Sequence, residues 1–471
     1  MVYSLGGKYA AFVIQLAVAM VLARLLSPEE TGVFSLAVAA IAFGHLVREF
    51  GVSDYVITQR DITRLQLRSA FTATLLIAWA VAAVFWLLAW PMAAFYDAPG
   101  VKSVMHLLCI NFMLLPFGSV ASAVLSKDLQ FGRLALYNTL IAAVGGVTTV
   151  VSAWLGFSFL SMAIGAVASN VCTIAMFALV EPRLVALKPS VVHLREVLRF
   201  GGTLTTARFV EQLGNRSSDF IISATLGLHA TGLYSKASTL IGSFHEFFNS
   251  AIARVATPAL ARAVQQREDL QAPYLRATTL VAATLWVFFP VLGVYAHELI
   301  LVMFGAQWLE CVPVVQLAAA GSLLHGPFIL SGSMLTARQA VRQQLRIQVW
   351  STPVMILAIA VGAQHSLVAV MGLVVVASCV KLLFIDHAMR SACDMGVEKV
   401  LPRLAGSAAI GAAALGAGLL SRWALMQSGW PPLLVLAVGV AVMLATAGCA
   451  ARLLQHPLWL EMAALLQRLK R

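Results

Sequence analysis

Charge is scarce in this sequence. Of 471 residues only 11% are Asp, Glu, Lys or Arg, while 60% are hydrophobic and the mean hydropathy is +0.88. No soluble core of this length has that composition. Acidic residues are the scarcest, 20 against 32 Lys and Arg, a formal net charge of +12. A basic excess gathered in one patch suits nucleic acid. Here it is spread over short gaps between apolar runs, where membrane topology and contact with anionic membrane lipids explain it better. Six cysteines (109, 172, 311, 379, 393 and 449) stand apart with no CxxC. They read as small apolar residues of membrane helices, not as disulfides or metal ligands. No Walker A, GxSxG or HExxH motif is present, so neither ATP hydrolysis nor a hydrolase is expected, and no cofactor or metal. The chain does not read as an enzyme. The gaps hold no soluble domain, the largest being about 20 residues against the ~50 a domain needs. That counts against a membrane glycan polymerase or ligase, which would carry a large outer loop.

What is there is a series of about 14 apolar stretches, each near the ~20 residues that a bilayer core requires. They fall at roughly 5–26, 31–51, 68–90, 103–125, 134–155, 158–180, 203–226, 231–253, 277–297, 313–335, 345–362, 366–388, 404–421 and 431–451. Lys and Arg gather in every second gap: Arg60, Arg64 and Arg68 after span two, Arg183, Lys188, Arg195 and Arg199 after span six, and so on to Arg468, Lys470 and Arg471 at the end. The exceptions are Lys102 and Arg422, with Arg24 on a border. Cytoplasmic loops carry the basic excess, so both termini are expected in the cytoplasm. Span one is too long and too polar for a cleaved signal peptide.

The chain repeats itself. Leu26, Thr31, Gly32, Ser35 and Ala37 recur 200 residues later as Leu226, Thr231, Gly232, Ser235 and Ala237. Pro116-Phe117 in span four recurs as Pro327-Phe328 in span ten. Both echoes fall at corresponding spans, and an even number of spans per copy gives a parallel repeat. The expected fold is therefore an all-α polytopic membrane protein: two six-helix lobes (1–200 and 201–388) and a segment 389–471 holding helices 13 and 14 and a cytoplasmic tail. The longer interior loop of the second copy is placed at 254–276, and a short interfacial helix at 191–200. Gly411, Ala414, Gly416 and Gly418 suit close helix packing in span thirteen. After Pro457, Leu458, Met462, Leu465 and Leu469 share one face of an amphipathic surface helix.

Span seven carries Arg208, Glu211, Gln212, Asn215, Arg216 and Asp219 within an arc of roughly 140°. Each charge at a helix centre costs about 2.5–3.5 kcal/mol, so this face belongs against a wet cavity or polar partners. Arg208 with Glu211 and Arg216 with Asp219 are also placed for i,i+3 ion pairs. Span eight shows a thinner stripe of Lys236, Thr239, Ser243, Glu246 and Ser250. Span one has Ser4, Lys8, Ala11 and Gln15 on one face. Arg24 and Arg48 suit snorkelling to headgroups. Lys381 and Asp386 are placed as a border pair in span twelve. Prolines 116, 290, 327 and 353 favour kinks and are hinge candidates.

The run Arg24-Leu-Leu-Ser-Pro28-Glu-Glu-Thr-Gly32-Val-Phe34, then Glu49-Phe-Gly51, Lys127-Asp-Leu-Gln-Phe131, Asp219-Phe-Ile-Ile, Gly232-Leu-Tyr234 and Phe304-Gly305-Ala-Gln-Trp308, resembles the polysaccharide flippase family. These are the Wzx-type translocases of the multidrug/oligosaccharidyl-lipid/polysaccharide exporter superfamily, and the resemblance covers about residues 1–345. It implies two six-helix lobes, often with two further helices. The substrate it implies is a polyprenyl-diphosphate-linked oligosaccharide moved across the bacterial inner membrane, with a glycan polymerase and a chain-length regulator as partners. It also implies a cavity lined by helices one, two, seven and eight. Lys8, Gln15, Arg24, Arg208, Gln212, Asn215, Arg216 and Lys236 are then candidates for the substrate, and Glu211, Asp219 and Glu246 for ion coupling. A multidrug cation exporter of the same superfamily is the alternative; it would want a more acidic cavity, and here basic candidates outnumber acidic ones. The chain departs from the family in starting very near span one, which leaves a start upstream of Met1 open.

Overall fold

The computed structural model describes residues 2–49, 52, 55–56, 62–127, 131–185, 187–266 and 270–460, without the side chains of 2–10, 49, 131, 134, 198–211, 215, 247, 249–259, 261, 263–265 and 341. Among the described residues there is no strand. The helices are α1 (Val2–Leu25), α2 (Pro28–Glu49), α3 (Arg64–Phe95), α4 (Pro99–Leu114), α5 (Pro116–Lys127), α6 (Phe131–Trp154), α7 (Leu160–Val180), α8 (Leu194–Thr225) and α9 (Gly227–Gln265). They continue with α10 (Gln271–Val294), α11 (Ala296–Met303), α12 (Val312–Leu324), α13 (Ser331–Ala337), α14 (Val341–Gly362), α15 (Leu367–Cys393), α16 (Ala405–Gln427) and α17 (Pro432–Leu453). The chain divides into two compact units, Met1–Gly232 and Leu233–Arg471.

Every apolar stretch of the sequence is helical, but not every helix is apolar enough to cross a bilayer by itself. Among the described residues nine are, or eleven if each bent pair is one span. The three expected spans that do not meet this measure are α1, whose described apolar part is Ala11–Leu25, and the charge-bearing α8 and α9. The bent pairs are α4 with α5, which turn by 52°, and the segment Ala306–Leu324 with Gly326–Ala337, which turn by 46°. Pro116 and Pro327 sit at these two breaks, so the second sequence echo marks a shared interruption. Proline lacks an N–H and clashes with the preceding turn. Pro290 and Pro353, by contrast, lie inside continuous helices.

Two expectations about loops are corrected. Residues 254–265 continue α9 rather than forming a loop, and 194–200 are the first turns of α8 rather than a separate helix. At ~1.5 Å per residue, helices of 32 and 39 residues run well past the ~30 Å hydrocarbon layer. The tail expected to be amphipathic lies, beyond residue 460, outside the described residues.

In the first unit the start of α2 explains the opening motif. Ser27 and Glu30 form a reciprocal cap: Glu30 N donates to Ser27 Oγ (3.2 Å) and Ser27 N to Glu30 Oε2 (2.7 Å). Pro28 takes the first helical position, where its missing N–H costs nothing. Ser158 donates to the other oxygen of Glu30, tying this cap to the turn before α7. Ser27→Ala is expected to cost about 1 kcal/mol, seen as a lower melting temperature of the purified protein.

Gly32 and Gly232 meet reciprocally. A Cβ on Gly32 would lie 1.9 Å from the Leu228 carbonyl oxygen, and one on Gly232 would lie 1.7 Å from that of Pro28. Leu228 and Pro28 each stand four residues before the opposite glycine. Thr31 and Thr231 donate to the matching carbonyls of Ser27 (3.1 Å) and Gly227 (3.0 Å). This reciprocity is what a two-fold relation between the two segments produces. Around it Leu36, Ala37, Val101, Met105 and Phe112 form the core of α2 and α4. At the basic end of the unit, Tyr55 is buried and donates to Glu196 Oε1 at 2.9 Å. Burial and the Glu196 carboxylate push its phenol up to about 12, so it stays protonated and donating.

In the second unit α16 and α17 pack onto α10. Gly411 lies against Trp286 and Gly418 against Met443, and Ala414 is fully buried. Gly416 faces open space, so three of the four small residues expected at a helix contact are there. Tyr295 fills the space beside Gly439 and bonds the Gly418 carbonyl (3.2 Å) and Ser421 Oγ (2.8 Å).

Candidate functional site

The candidate residues fall on three helices, as expected. On α1, Lys8 lies on the helical backbone with its side chain outside the description, Gln15 is exposed, and Arg24 is exposed in the last turn. A cation there complements the helix dipole. On α8, Arg208, Glu211 and Asn215 are helical but their side chains also lie outside the description, so the Arg208–Glu211 pair is not described. Gln212 is half-buried.

The other expected pair is formed. Arg216 Nη1 lies 3.8 Å from Asp219 Oδ2, with the Arg216 side chain 39% exposed and that of Asp219 only 9%. Residues 216 and 219 are neighbours on a helix surface, so the carboxylate sinks into the packed side while the guanidinium reaches outward. Ser217, Ser218 and Ser223 are buried beside it. Ser223 shares a hydrogen bond with Thr231 (2.8 Å). The helix is seated on α2 and α3: the Phe220 ring lies tilted against Phe43 (centroids 6.2 Å), and Tyr96 donates to the Phe220 carbonyl (3.3 Å).

On α9 the two candidates are separated. Lys236 and Glu246 are ten residues apart, about 15 Å along a helix, and Glu246 is exposed. The Lys236 ammonium sits over the rings of Trp308 (4.7 Å) and Phe304 (5.0 Å). Ring quadrupoles attract such a cation by about 0.5–2 kcal/mol. Gly305 makes this cage possible: its φ of +98° suits only glycine, and it turns the chain so that both rings close on one side chain. The Phe304-Gly305-Ala-Gln-Trp308 run thus serves Lys236, a link no local pattern reveals.

Sequence reasoning also missed a histidine cluster in the second unit. His245 Nε2 and Ser322 Oγ are 2.8 Å apart, and the His245 ring lies 4.8 Å from Phe289 and 6.4 Å from His325. The Lys381–Asp386 border pair is corrected. Asp386 instead pairs with Arg390 (2.7 Å) and accepts from Val397 N (2.6 Å), and Arg390 reaches Glu398 (2.7 Å). The two exceptions to the basic alternation both have local partners. Lys102 sits over the Trp90 ring (3.4 Å) and Arg422 Nε donates to Glu298 Oε1 (3.0 Å). Among the described residues no His, Cys, Asp and Glu cluster would hold a metal.

A series of apolar helices, two of its spans broken at Pro116 and Pro327, and a separate helix, α8, that carries an Arg216–Asp219 charge pair mark this as a multi-pass membrane protein of the transporter class. Residues 21–313 match the polysaccharide biosynthesis protein family, and the chain belongs to it. It is 24% identical over 346 residues to WzxC, a lipopolysaccharide biosynthesis protein of Escherichia coli (strain K12), covering 73% of this chain and 70% of that one. It is 25% identical over 320 residues to the succinoglycan biosynthesis transport protein ExoT of Rhizobium meliloti (strain 1021), covering 67% of this chain and 64% of ExoT. Its fold is similar to that of the lipid II flippase MurJ in an inward closed conformation, with a TM-score of 0.77 and 12% identity over 97% of this chain and all of MurJ.

Proposed function

We propose that this protein is a flippase that moves polyprenyl-diphosphate-linked oligosaccharide units across the bacterial inner membrane by alternating access, for lipopolysaccharide O-antigen, capsule or exopolysaccharide. The observation that carries the reading is a charged face on α8 in a chain whose relatives are WzxC and ExoT and whose fold is that of MurJ. In this account the chain spans the membrane fourteen times with both termini in the cytoplasm. Residues 1–200 and 201–388 form six-helix lobes and 389–471 adds helices 13 and 14 and the tail. A glycan polymerase and a chain-length regulator take up the product.

The chemistry follows from the charges. A diphosphate offers oxygens that match a guanidinium fork. Lys8, Arg24, Arg208, Arg216 and Lys236 attract it, and Gln15, Gln212 and Asn215 bond the sugars. Asp219 holds Arg216 in the empty protein. An arriving diphosphate competes for Arg216, leaving Asp219, with Glu211 and Glu246, to take up the coupled cation. Binding at one end of the path biases which way the lobes rock.

A charge-assisted hydrogen bond is worth about 1.5–3 kcal/mol, so Arg216→Gln is expected to slow translocation roughly 10- to 100-fold. The check is surface polysaccharide in a deletion strain carrying the variant, with membrane protein levels measured in parallel. Normal polysaccharide with normal protein would remove Arg216 from the site.

A further inference from the structure

In the first unit α3 and α4 pack together, and three tryptophans of α3 meet α4 in one register. Trp79 Nε1 donates to the Met113 carbonyl (3.4 Å), the Trp86 ring stacks on His106 (centroids 3.9 Å, planes 9° apart), and the Lys102 ammonium sits over the Trp90 ring (3.4 Å). As the number rises on one helix it falls on the other, so the pair is antiparallel. The three rings are 44–58% exposed and form a row on the outside of the unit. The row starts near the α3–α4 turn and stops at Trp79, in the middle of α3. It extends over about 16 Å, close to half of the ~30 Å hydrocarbon layer.

The two ends of the row differ in chemistry. At Trp79 the indole N–H is taken up by main chain. At the turn end, among the described residues, the indole N–H groups of Trp86 and Trp90 have no acceptor, and Lys102 has a ring but no carboxylate. A ring attracts the ammonium but accepts little from its three donors. Lys102 also stands at the end of α3 remote from Arg64 and Arg68, where the basic alternation expects no cation. His106 is spent on Trp86, its Nε2 lying 3.2 Å from the Trp86 carbonyl oxygen, so it holds that ring in place. Sign and length then decide the occupant. The open donors suit phosphate oxygens of net negative charge, which a zwitterionic headgroup offsets with its own cation. The exposed rings beneath are one leaflet deep, which fits an acyl chain, whereas a polyprenyl chain is longer.

We propose that this α3–α4 face binds one anionic diacyl phospholipid, its phosphate on Lys102 and the two indole N–H groups and one acyl chain along the tryptophan row. The site is independent of the solute moved, so its failure leaves the flippase reading standing. The test places the photocrosslinking residue p-benzoylphenylalanine at Ile110, one turn beyond His106 and 40% exposed. The full chain is held in nanodiscs of equimolar phosphatidylglycerol and phosphatidylcholine with a small share of polyprenyl phosphate, and mass spectrometry identifies the adducts. One lysine beside an anionic headgroup is worth about a fivefold preference, so phosphatidylglycerol adducts should exceed phosphatidylcholine adducts by about that ratio. Lys102→Gln should bring the ratio to that of the bilayer, Lys102→Arg should keep it, and Trp90→Leu should lower it. The same crosslinker at Val147, exposed on α6, should report the bilayer ratio throughout, and size exclusion shows that each variant is folded. A bilayer ratio at Ile110 in the parent overturns the proposal. So does an excess that Lys102→Gln leaves unchanged. Adducts chiefly to polyprenyl phosphate, or to a second copy of the chain, give the face to that occupant and overturn it as well.

Discussion

Gly32→Val is expected to leave little or no folded protein in the membrane. A Cβ at this position would stand 1.9 Å from the Leu228 carbonyl oxygen, 2.8 Å from its carbon and 3.2 Å from Gly232 N. All three are backbone atoms and none can rotate away. Relief requires the start of α2 to part from the segment 227–232, and α2 is fixed there by the Ser27–Glu30 cap. Overpacking against side chains already costs about 1–3 kcal/mol, and here the obstacle is main chain, so the expected cost is at or above the top of that range. Gly232 faces the same obstacle at Pro28. Gly416 has nothing within 4 Å, and Gly416→Ala should be neutral or slightly stabilising by up to about 1 kcal/mol. Fluorescence-detected size exclusion of tagged variants distinguishes these outcomes. Gly32→Val eluting like the parent at full yield would contradict the close approach.

The second large effect is expected at Glu298. Its side chain is 6% exposed and receives Arg422 Nε at 3.0 Å, the Arg422 side chain being 24% exposed. Removing one partner of a buried pair leaves the other charge uncompensated, at about 3–5 kcal/mol. Glu298→Ala should therefore lower the melting temperature markedly. The double variant Glu298→Leu with Arg422→Met should recover most of the loss, because exchanging the whole pair for apolar groups is often neutral. A Glu298→Ala protein that melts with the parent would mean that Arg422 finds water or another partner at no cost.

These two sites show what the sequence reveals and what it hides. The spans are legible because about 20 consecutive apolar residues have few other uses. The breaks in spans four and ten are legible because proline acts locally, and Pro116 and Pro327 both fall there. The ends of α8 and α9 are not, because a helix leaving the bilayer keeps its hydrogen bonds while its hydropathy drops. Arg216 with Asp219 is legible because three residues is nearly one turn. Lys381 with Asp386 fails for the same geometry: five residues place them about 140° apart, whereas Arg390 lies four residues on and on the same face. Lys236 could be identified as a charge needing a partner, but the partners are 68 and 72 residues away at Phe304 and Trp308. Arg422 and Glu298 are separated by 124 residues. No local pattern in the sequence links them. The Gly32–Gly232 contact lies between these cases. Its residues are visible as a 200-residue echo, but only the backbone shows that the two segments, 28–32 and 228–232, touch at the glycines.

The central claim is tested most directly by the lipid-linked oligosaccharide pool of a strain lacking this protein. The account predicts that complete repeat units linked to polyprenyl diphosphate accumulate on the cytoplasmic face while surface polymer is lost, and that the chain restores both when returned. Repeat units that reach the outer face and remain unpolymerised would contradict it.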